Sequence, residues 1–492
     1  MNTRKFTILH SNDMHGNFIA EVSGEKGDLI GGLSLLSGYI NQVHREEENV
    51  LYVIAGDMLQ GSIIDTEYKG ISTVSIMNYL APDVVTLGNH EFDYGLPHLL
   101  FLEKVANFPI VNANLYIANH NKRLMQPYHI INMAGMDILF IGVITEMVID
   151  TIKADRDISS FISLEEAANE VGKITNAYKN DDIDLTILLT HIGFDADCEL
   201  AALLDPAWGV DMIIGGHTHT ILEKPAEING VLITQAGEGT KQIGRYDIVV
   251  DDDTNSIVEY DWELVPITGA TIPPDEDLQR YIDSYKEVVD AKYNSIVCKL
   301  STQLTHPART EETTLGNLFA DAMAEWGEID VMLLGSGSIR TPSLGPLVTL
   351  GDFLACFPFT DALNRFCVSG ETLWKMFNHW MRPENRTRRG ECYQVNTGVQ
   401  AVYNEQTRSL QALSIHQQPV QPNQQYTVGL QGYHASNAKA NLDVTMDELT
   451  ELGRGRVVAT CVQDLVLEYL REHQNFREDI EDRLLYIPSS SI

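Results

Sequence analysis

The sequence predicts an α/β layered domain joined to a second, α+β part, on three observations. Short apolar runs of strand length alternate with helix-spaced patterns through roughly the first 250 residues. Several of those runs end in residue types that ligate metals, and a proline-broken stretch then separates this pattern from a different one. Residues 6–10 (FTILH) form the first expected strand, and Leu33, Leu36, Ile40 and Val43 recur at spacings of three and four on a helix beginning after Gly31-Gly32. The runs 50–55 (VLYVIA), 84–87, 110–113, 138–144, 185–189 (LTILL), 212–214 and 231–235 follow as buried strands. Such alternation builds a layered α/β domain.

Pro266, Gly269, Pro273 and Pro274 break the strand pattern. In 275–293, Leu278, Ile282, Tyr285 and Val289 then stand at helical spacing behind an acidic first turn. This helix fits equally a linker or a surface helix of the second part. Beyond residue 295 come a capped amphipathic helix over 312–324 (ETTLGNLFADAMA), a strand over 331–334 and the turn Gly335-Ser336-Gly337-Ser338-Ile339-Arg340.

At 492 residues and 44% hydrophobic content the chain can bury more than one core. Its 34 Lys and Arg against 69 Asp and Glu give a formal charge of -35, which opposes binding a nucleic-acid polymer or an anionic membrane. A small phosphorylated substrate is not excluded, because bound dications and a local arginine set the potential within a site. The first residues, MNTRKFTILHSND, contain no apolar segment of secretory length, and nowhere do 18 apolar residues run together. Six cysteines without a C-x-x-C pair point to free thiols. A cytoplasmic location is the expectation.

The chemistry concentrates at Gly88-Asn89-His90-Glu91-Phe92-Asp93, where an apolar run, 83–87 (DVVTL), ends in polar groups. An Asn carbonyl oxygen can ligate a metal, and Asp93 can return to the His90 imidazole if a helical turn starts there. A plain capped helix start is the alternative. Other runs lead into Asp13-Met14-His15-Gly16, Gly56-Asp57, Thr190-His191 and Gly215-Gly216-His217-Thr218-His219. In open α/β sheets the carboxyl ends of strands share an edge, so residues distant in sequence can converge there. The i, i+2 pairs Asp13/His15 and His217/His219 would each point to one side of an extended chain. Two Asp, one Asn and four His suffice for two divalent cations, with Asp57 the natural bridge.

This ordered series resembles the calcineurin-like metallophosphoesterases, and LHSNDMHG with GNHEFDYG resembles their 5'-nucleotidase branch. The resemblance implies an αββα-type metal domain over 1–270, a linker helix over 271–294 and a substrate-binding domain over 295–492. It also implies that Asp13, His15 and His219 bind one metal, Asn89, His191 and His217 the other, with Asp57 bridging and His90 and Asp93 as catalytic dyad. Manganese, zinc, iron and cobalt all suit these donors, and availability usually decides between them. The implied reaction is in-line hydrolysis by a metal-activated water, removing phosphate from nucleoside 5'-monophosphates. A 2',3'-cyclic-nucleotide phosphodiesterase, a nucleotide-sugar or dinucleotide pyrophosphatase, a thiosulfate-ester hydrolase and a non-catalytic binding protein on the same fold are the alternatives.

In the second part, the resemblance makes Arg340 the phosphate-binding arginine of a G-G-x-I-R-like turn and puts Tyr433 at one position of an aromatic clamp for the base. Two departures stand out. Cys392 occupies the place of the clamp's other aromatic, and Asn437-Ala438-Lys439 lies where a Gly-Gly-Asp-Gly run is expected. Tyr433 could equally be a core aromatic. Arg382, Arg386, Arg388 and Arg389 form a basic run that is by default a solvated loop, or a seat for a second phosphate.

Overall fold

The computed structural model describes residues 3–23, 27–117, 122–144, 160–161, 163–181, 183–386 and 391–488, so Arg388 and Arg389 lie outside the described residues. Among the described residues no helix is long and apolar enough to cross a membrane. The chain forms two compact units, Met1–Val289 and Asp290–Ile492.

In the first unit two six-stranded sheets pack face to face. One has the order Ser256–Pro266, Gln242–Asp251, Thr3–Ser11, Val50–Ala55, Val84–Thr86, Ile110–Val111, and its last four strands are parallel. The other runs Ala226–Ile228, Val231–Thr234, Met212–Ile214, Ile183–His191, Met136–Ile144, Tyr128–Met133, with the middle four parallel. Strands covered on both faces need apolar residues at every position, which is why 50–55 reads as an unbroken run and is wholly buried. Phe6, Ile8, Leu51 and Val53 join Ile138, Phe140, Ile187 and Leu189 in the core between the sheets. Helices Leu164–Ala177 and Phe194–Leu203 cover the second sheet's outer face, burying Val171, Ile174 and Leu200 with Leu139, Ile141 and Leu188. Helix Leu33–Glu46 buries Leu33, Leu36, Ile40 and Val43 and packs on Val50–Ala55. The layers are therefore helix, sheet, sheet, helix.

The expected linker stretch contains helix Glu276–Tyr293. Asp275 caps it, accepting from the Leu278 amide at 3.1 Å and from Ser37 Oγ at 2.7 Å. Leu278, Ile282 and Val289 are buried, and the Tyr281 ring stacks on Tyr79, so this helix lies with the first unit as far as Val289.

The second unit is built on a five-stranded sheet ordered Tyr393–Gln394, Val331–Gly335, Gln425–Gln431, Leu363–Ser369, Arg456–Ala459. Alternation along Val331–Gly335 feeds two cores: Val331 and Leu333 face helix Gly370–Trp380, whereas Met332 and Leu334 face helix Thr314–Gly327. A four-stranded sheet, Gln418–Pro419, Ser409–Ile415, Val399–Asn404 and Leu484–Ile487, closes the first of these cores.

The two sheets of the first unit come close at Gly142, where an added Cβ would lie 2.1 Å from the Val111 carbonyl oxygen and the Ala113 amide donates to the Gly142 carbonyl at 2.7 Å. Gly142→Ala is expected to force the sheets apart and cost about 1–3 kcal/mol, read as a lower denaturant midpoint for the full chain.

Candidate metal centre

The parallel strands Thr3–Ser11, Val50–Ala55 and Val84–Thr86 deliver Asp13 and His15, Asp57, and Asn89 and His90 to one edge. From the second sheet, Ile183–His191 ends in His191, and Met212–Ile214 leads into His217 and His219. Backbone contacts join the two edges. The Asp13 amide donates to the Gly56 carbonyl at 3.1 Å, and His191 Nδ1 lies 2.8 Å from the Ala55 carbonyl oxygen.

All seven expected donors and both residues of the dyad lie in this one neighbourhood. Three sets, Asp13–His15–His219, His15–Asp57–His90 and Asp13–Asp57–His191, each bring one ligand atom per residue within 4.8 Å of one another. His219 Nε2 is 3.4 Å from Asp13 Oδ1 and 3.2 Å from His15 Nε2. His191 Nε2 is 3.1 Å from Asp57 Oδ2 and 3.8 Å from Asp13 Oδ1. His217 Nδ1 lies 2.9 Å from Asn89 Oδ1, with its ring against His191. Asp57 stands between the groups, 4.0 Å from His15 Nε2. Residues 90–92 form a single 3-10 turn, which carries Asp93 back so that its Oδ2 lies 2.7 Å from His90 Nδ1.

One expectation about local geometry is overturned. The i, i+2 pairs are not extended: Asp13, His15, His217 and His219 have φ of 50°, 48°, 89° and 53°, and Asp57, outside those pairs, has 52°. Left-handed turns, not strand alternation, aim these side chains. Each such non-glycine residue costs about 1–3 kcal/mol and persists only where its surroundings over-determine it. Glycines supply the room, since a Cβ on Gly88 would lie 2.1 Å from Asp57 Oδ1 and one on Gly56 (φ 80°) 2.6 Å from His191 Nδ1.

The electrostatics are those of buried anions among imidazoles. Burial works to raise the Asp57 carboxyl, but the His191 contact and the His90 amide override it and hold it at about 2. Burial likewise opposes charge on His191, yet Asp57 and Asp13 lift it to about 9. Burial and the neighbouring His191 push His217 down, and the bond to Asp93 raises His90. His191 Nε2 is buried and lies 3.1 Å from Asp57 Oδ2 without a well-aligned hydrogen bond. A buried ring nitrogen so placed beside carboxylate oxygens fits a hard-to-borderline divalent cation.

Residues that the sequence does not single out hold this cluster. Glu91, 2 % exposed, accepts amide hydrogen bonds from Asp57 (3.0 Å), Met58 (2.8 Å), Leu59 (3.2 Å) and Gly88 (2.6 Å), tying two donor-bearing loops together. Burial and Asp57 nevertheless push its carboxyl up to about 7. Asn12 bridges Asp13 Oδ2 and the Gly237 carbonyl, each at 2.6 Å. Buried Asp197 takes hydrogen bonds from Thr190 Oγ1 and Gln235 Nε2 behind His191, and burial raises it to about 7. Glu91 and Asn12 had a signal, their places in the GNHEFDYG and LHSNDMHG motifs, and Asp197 had none.

In the second unit, Arg340 and Tyr433 follow the adjacent parallel strands Val331–Gly335 and Gln425–Gln431, and so emerge at one edge. The exposed Arg340 guanidinium lies over the Phe359 ring at 5.0 Å. Glu391 accepts from the Gly337 amide at 2.9 Å within the same turn. Tyr433 is 60 % exposed, edge-on to His434, so it is not the core aromatic it could have been. Cys392 is buried, and burial pushes its thiol up to about 12, while Tyr393 packs inside against Trp380 and His434. Arg386 is committed to packing, paired with Glu405 and lying 3.9 Å over the Tyr486 ring.

Residues 6–220 match the calcineurin-like phosphoesterase family, and residues 295–445 match the 5'-nucleotidase C-terminal domain. The chain thus joins a calcineurin-like phosphoesterase domain to a 5'-nucleotidase C-terminal domain, the make-up of two-domain phosphoester hydrolases. It is 28% identical to a snake venom 5'-nucleotidase of Naja atra over 444 residues, 81% of this chain and 82% of that one. It is 27% identical over 404 residues to an endonuclease of Bacillus subtilis, covering 76% of this chain but spanning only 33% of that protein's length. The solved structure of a 5'-nucleotidase precursor from Thermus thermophilus shares the fold, with a TM-score of 0.59 at 22% identity over 99% of this chain and 100% of that one.

Glu91→Gln would put an NH₂ group among four amide donors. The expected loss is about 1–3 kcal/mol, measured as a lower melting temperature by circular dichroism, with Glu91→Asp falling short of the same amides and also destabilising.

Proposed function

We propose that the chain is a divalent-metal-dependent phosphohydrolase that removes phosphate from nucleoside 5'-monophosphates. The observation that carries this reading is the convergence of seven oxygen and nitrogen donors beside a bonded His–Asp pair. Asp13, His15 and His219 would hold one cation, and Asn89, His191 and His217 the other, with Asp57 shared. Two such ions, when bound, supply charge neutralisation on the phosphoryl oxygens and a lowered pKa for water.

The chain's own residues supply the rest. His90, whose pKa the bond to Asp93 raises, would donate a proton to the departing ester oxygen, and Asp93 orients the ring by holding Nδ1. Glu91 keeps the Asp57 and Gly88 loops in register so that dyad and donors stay together. Arg340 offers a planar, permanently charged fork to phosphate, and its stacking on Phe359 limits the directions the fork can take. Tyr433 presents an open aromatic face to the substrate's organic part. Helix Glu276–Tyr293 is the connection between metal and substrate domains in this reading.

Cys392 favours a second reading. A small buried thiol in place of a stacking ring weakens selection for a base, so that the phosphate and its linkage would count for more in recognition, and the second reading is hydrolysis of 2',3'-cyclic nucleotides or nucleotide sugars. Rates on a mononucleotide, a cyclic nucleotide, a nucleotide sugar and an aryl phosphate separate the two. A mononucleotide preference supports the first reading, and a preference for the cyclic nucleotide or the nucleotide sugar the second. Chelation is expected to abolish turnover and added manganese to restore it; activity that survives exhaustive chelation with metal content at zero would sink both. His90→Ala is expected to lower kcat by about 10²–10⁴-fold with metal content unchanged. Loss of metal in that variant would make His90 a ligand instead.

A further inference from the structure

The ring nitrogens of the cluster that face away from its centre are not held alike. His191 Nδ1 faces a backbone carbonyl, that of Ala55, at 2.8 Å, and His15 Nδ1 is buried with no hydrogen-bond partner. His219 Nδ1 instead lies 2.5 Å from a carboxylate oxygen, Glu238 Oε2. None of these partners but Glu238 carries a charge.

Glu238 sits in a tightly built loop. It stands between Gly237 and Gly239, whose φ values of 81° and 70° are left-handed and cost glycine little. The Gly237 amide donates to the Thr220 carbonyl at 3.0 Å, next to His219, and the Gly239 amide donates to the Asp13 carbonyl at 2.8 Å. Gln242 Nε2 donates to the Ala236 carbonyl at 2.7 Å behind the turn. The loop is thus anchored on both sides to segments that carry Asp13 and His219. Its carboxylate is placed by backbone hydrogen bonds, although its side chain is 63% exposed.

A carboxylate against one ring nitrogen keeps the proton there, so the other nitrogen offers its lone pair to the cluster, and it makes that imidazole a stronger donor. We propose that Glu238 is a positioning residue whose carboxylate orients His219 and makes the Asp13–His15–His219 cation position the tighter of the two. The proposal rests on the two-cation reading above. Glu238 touches neither substrate nor ions in it, and acts only through His219. The unequal surroundings of the outward nitrogens of His15, His191 and His219 translate into unequal affinities for chemically similar positions.

The test is calorimetric titration of Mn²⁺ into the metal-stripped full chain, with Glu238→Ala and Glu238→Gln beside the wild type. The wild type is expected to take two equivalents in resolvable steps. Glu238→Ala should weaken the tighter step about 10–100-fold, leave the other unchanged and leave the melting temperature of the metal-free protein unchanged, since the side chain is largely in water. Glu238→Gln, whose amide oxygen can still accept from Nδ1 but carries no charge, should recover part of that loss. Two unaltered steps in Glu238→Ala would overturn the proposal while leaving the two-cation reading intact. So would equal weakening of both steps together with a lower metal-free melting temperature, which would make Glu238 a general support of the loop. Fewer than two equivalents in the wild type would overturn the two-cation reading, and this proposal with it.

Discussion

Two buried carboxylates, Asp13 and Asp57, held among imidazoles at the seam of two sheets, are the constraint around which the first unit is arranged. Neither can be buried as an isolated anion without a cost of several kcal/mol. Each therefore has partners drawn from both sheets: His191 from the second sheet lies against Asp57, and the His217 amide donates to both oxygens of Asp13 at 3.1 and 2.9 Å. The same contacts that satisfy the charges bring the two sheet edges together. Packing of the apolar faces sets the distance between the sheets, and the charged seam sets their register at one end.

That seam stores strain. Five donors occupy left-handed backbone, and glycines at 56 and 88 stand where any Cβ would strike a donor side chain. Such a conformation is retained only because neighbouring hydrogen bonds leave no alternative, and Glu91 supplies four of them from a single carboxylate. A loop arrangement this constrained keeps the donor atoms within a few ångströms without help from neighbouring side-chain flexibility. Preorganisation of that kind is what charge stabilisation at a reacting phosphate requires.

The second unit follows a looser logic. Parallel pairing of Val331–Gly335 with Gln425–Gln431 puts Arg340 and Tyr433 at the same sheet edge, and Ser338 Oγ donating to Gln431 Oε1 at 2.9 Å joins the two turns. Beyond that, its polar groups serve packing. Arg483 is fully buried among Asp321, Glu478 and Glu481, and Cys392, Tyr393 and Arg386 all face inward. This sheet edge presents the Arg340 guanidinium and the Tyr433 ring with few fixed neighbours around them.

The alternation of apolar runs, the helix at residues 33–46 and the ligand types at strand ends were legible in the sequence because each depends on local spacing: period two or three and four, and residue chemistry. The family and its two-part architecture followed from the order of those motifs. Three features were not local. The left-handed turns at Asp13, His15, His217 and His219 replaced the expected extended pairs, because aiming a side chain across a seam depends on what the opposite sheet presents. Glu91 lay inside a legible motif, yet its four amide partners come partly from a loop more than thirty residues away. Glu238 acquires its partner only when the loop after the strand Val231–Thr234 folds against the segment carrying His219. The sequence by itself thus determined which atoms are available to ligate and which elements carry them. The tertiary structure alone decided their directions and supports, since those depend on contacts between segments whose separation along the chain no periodicity records.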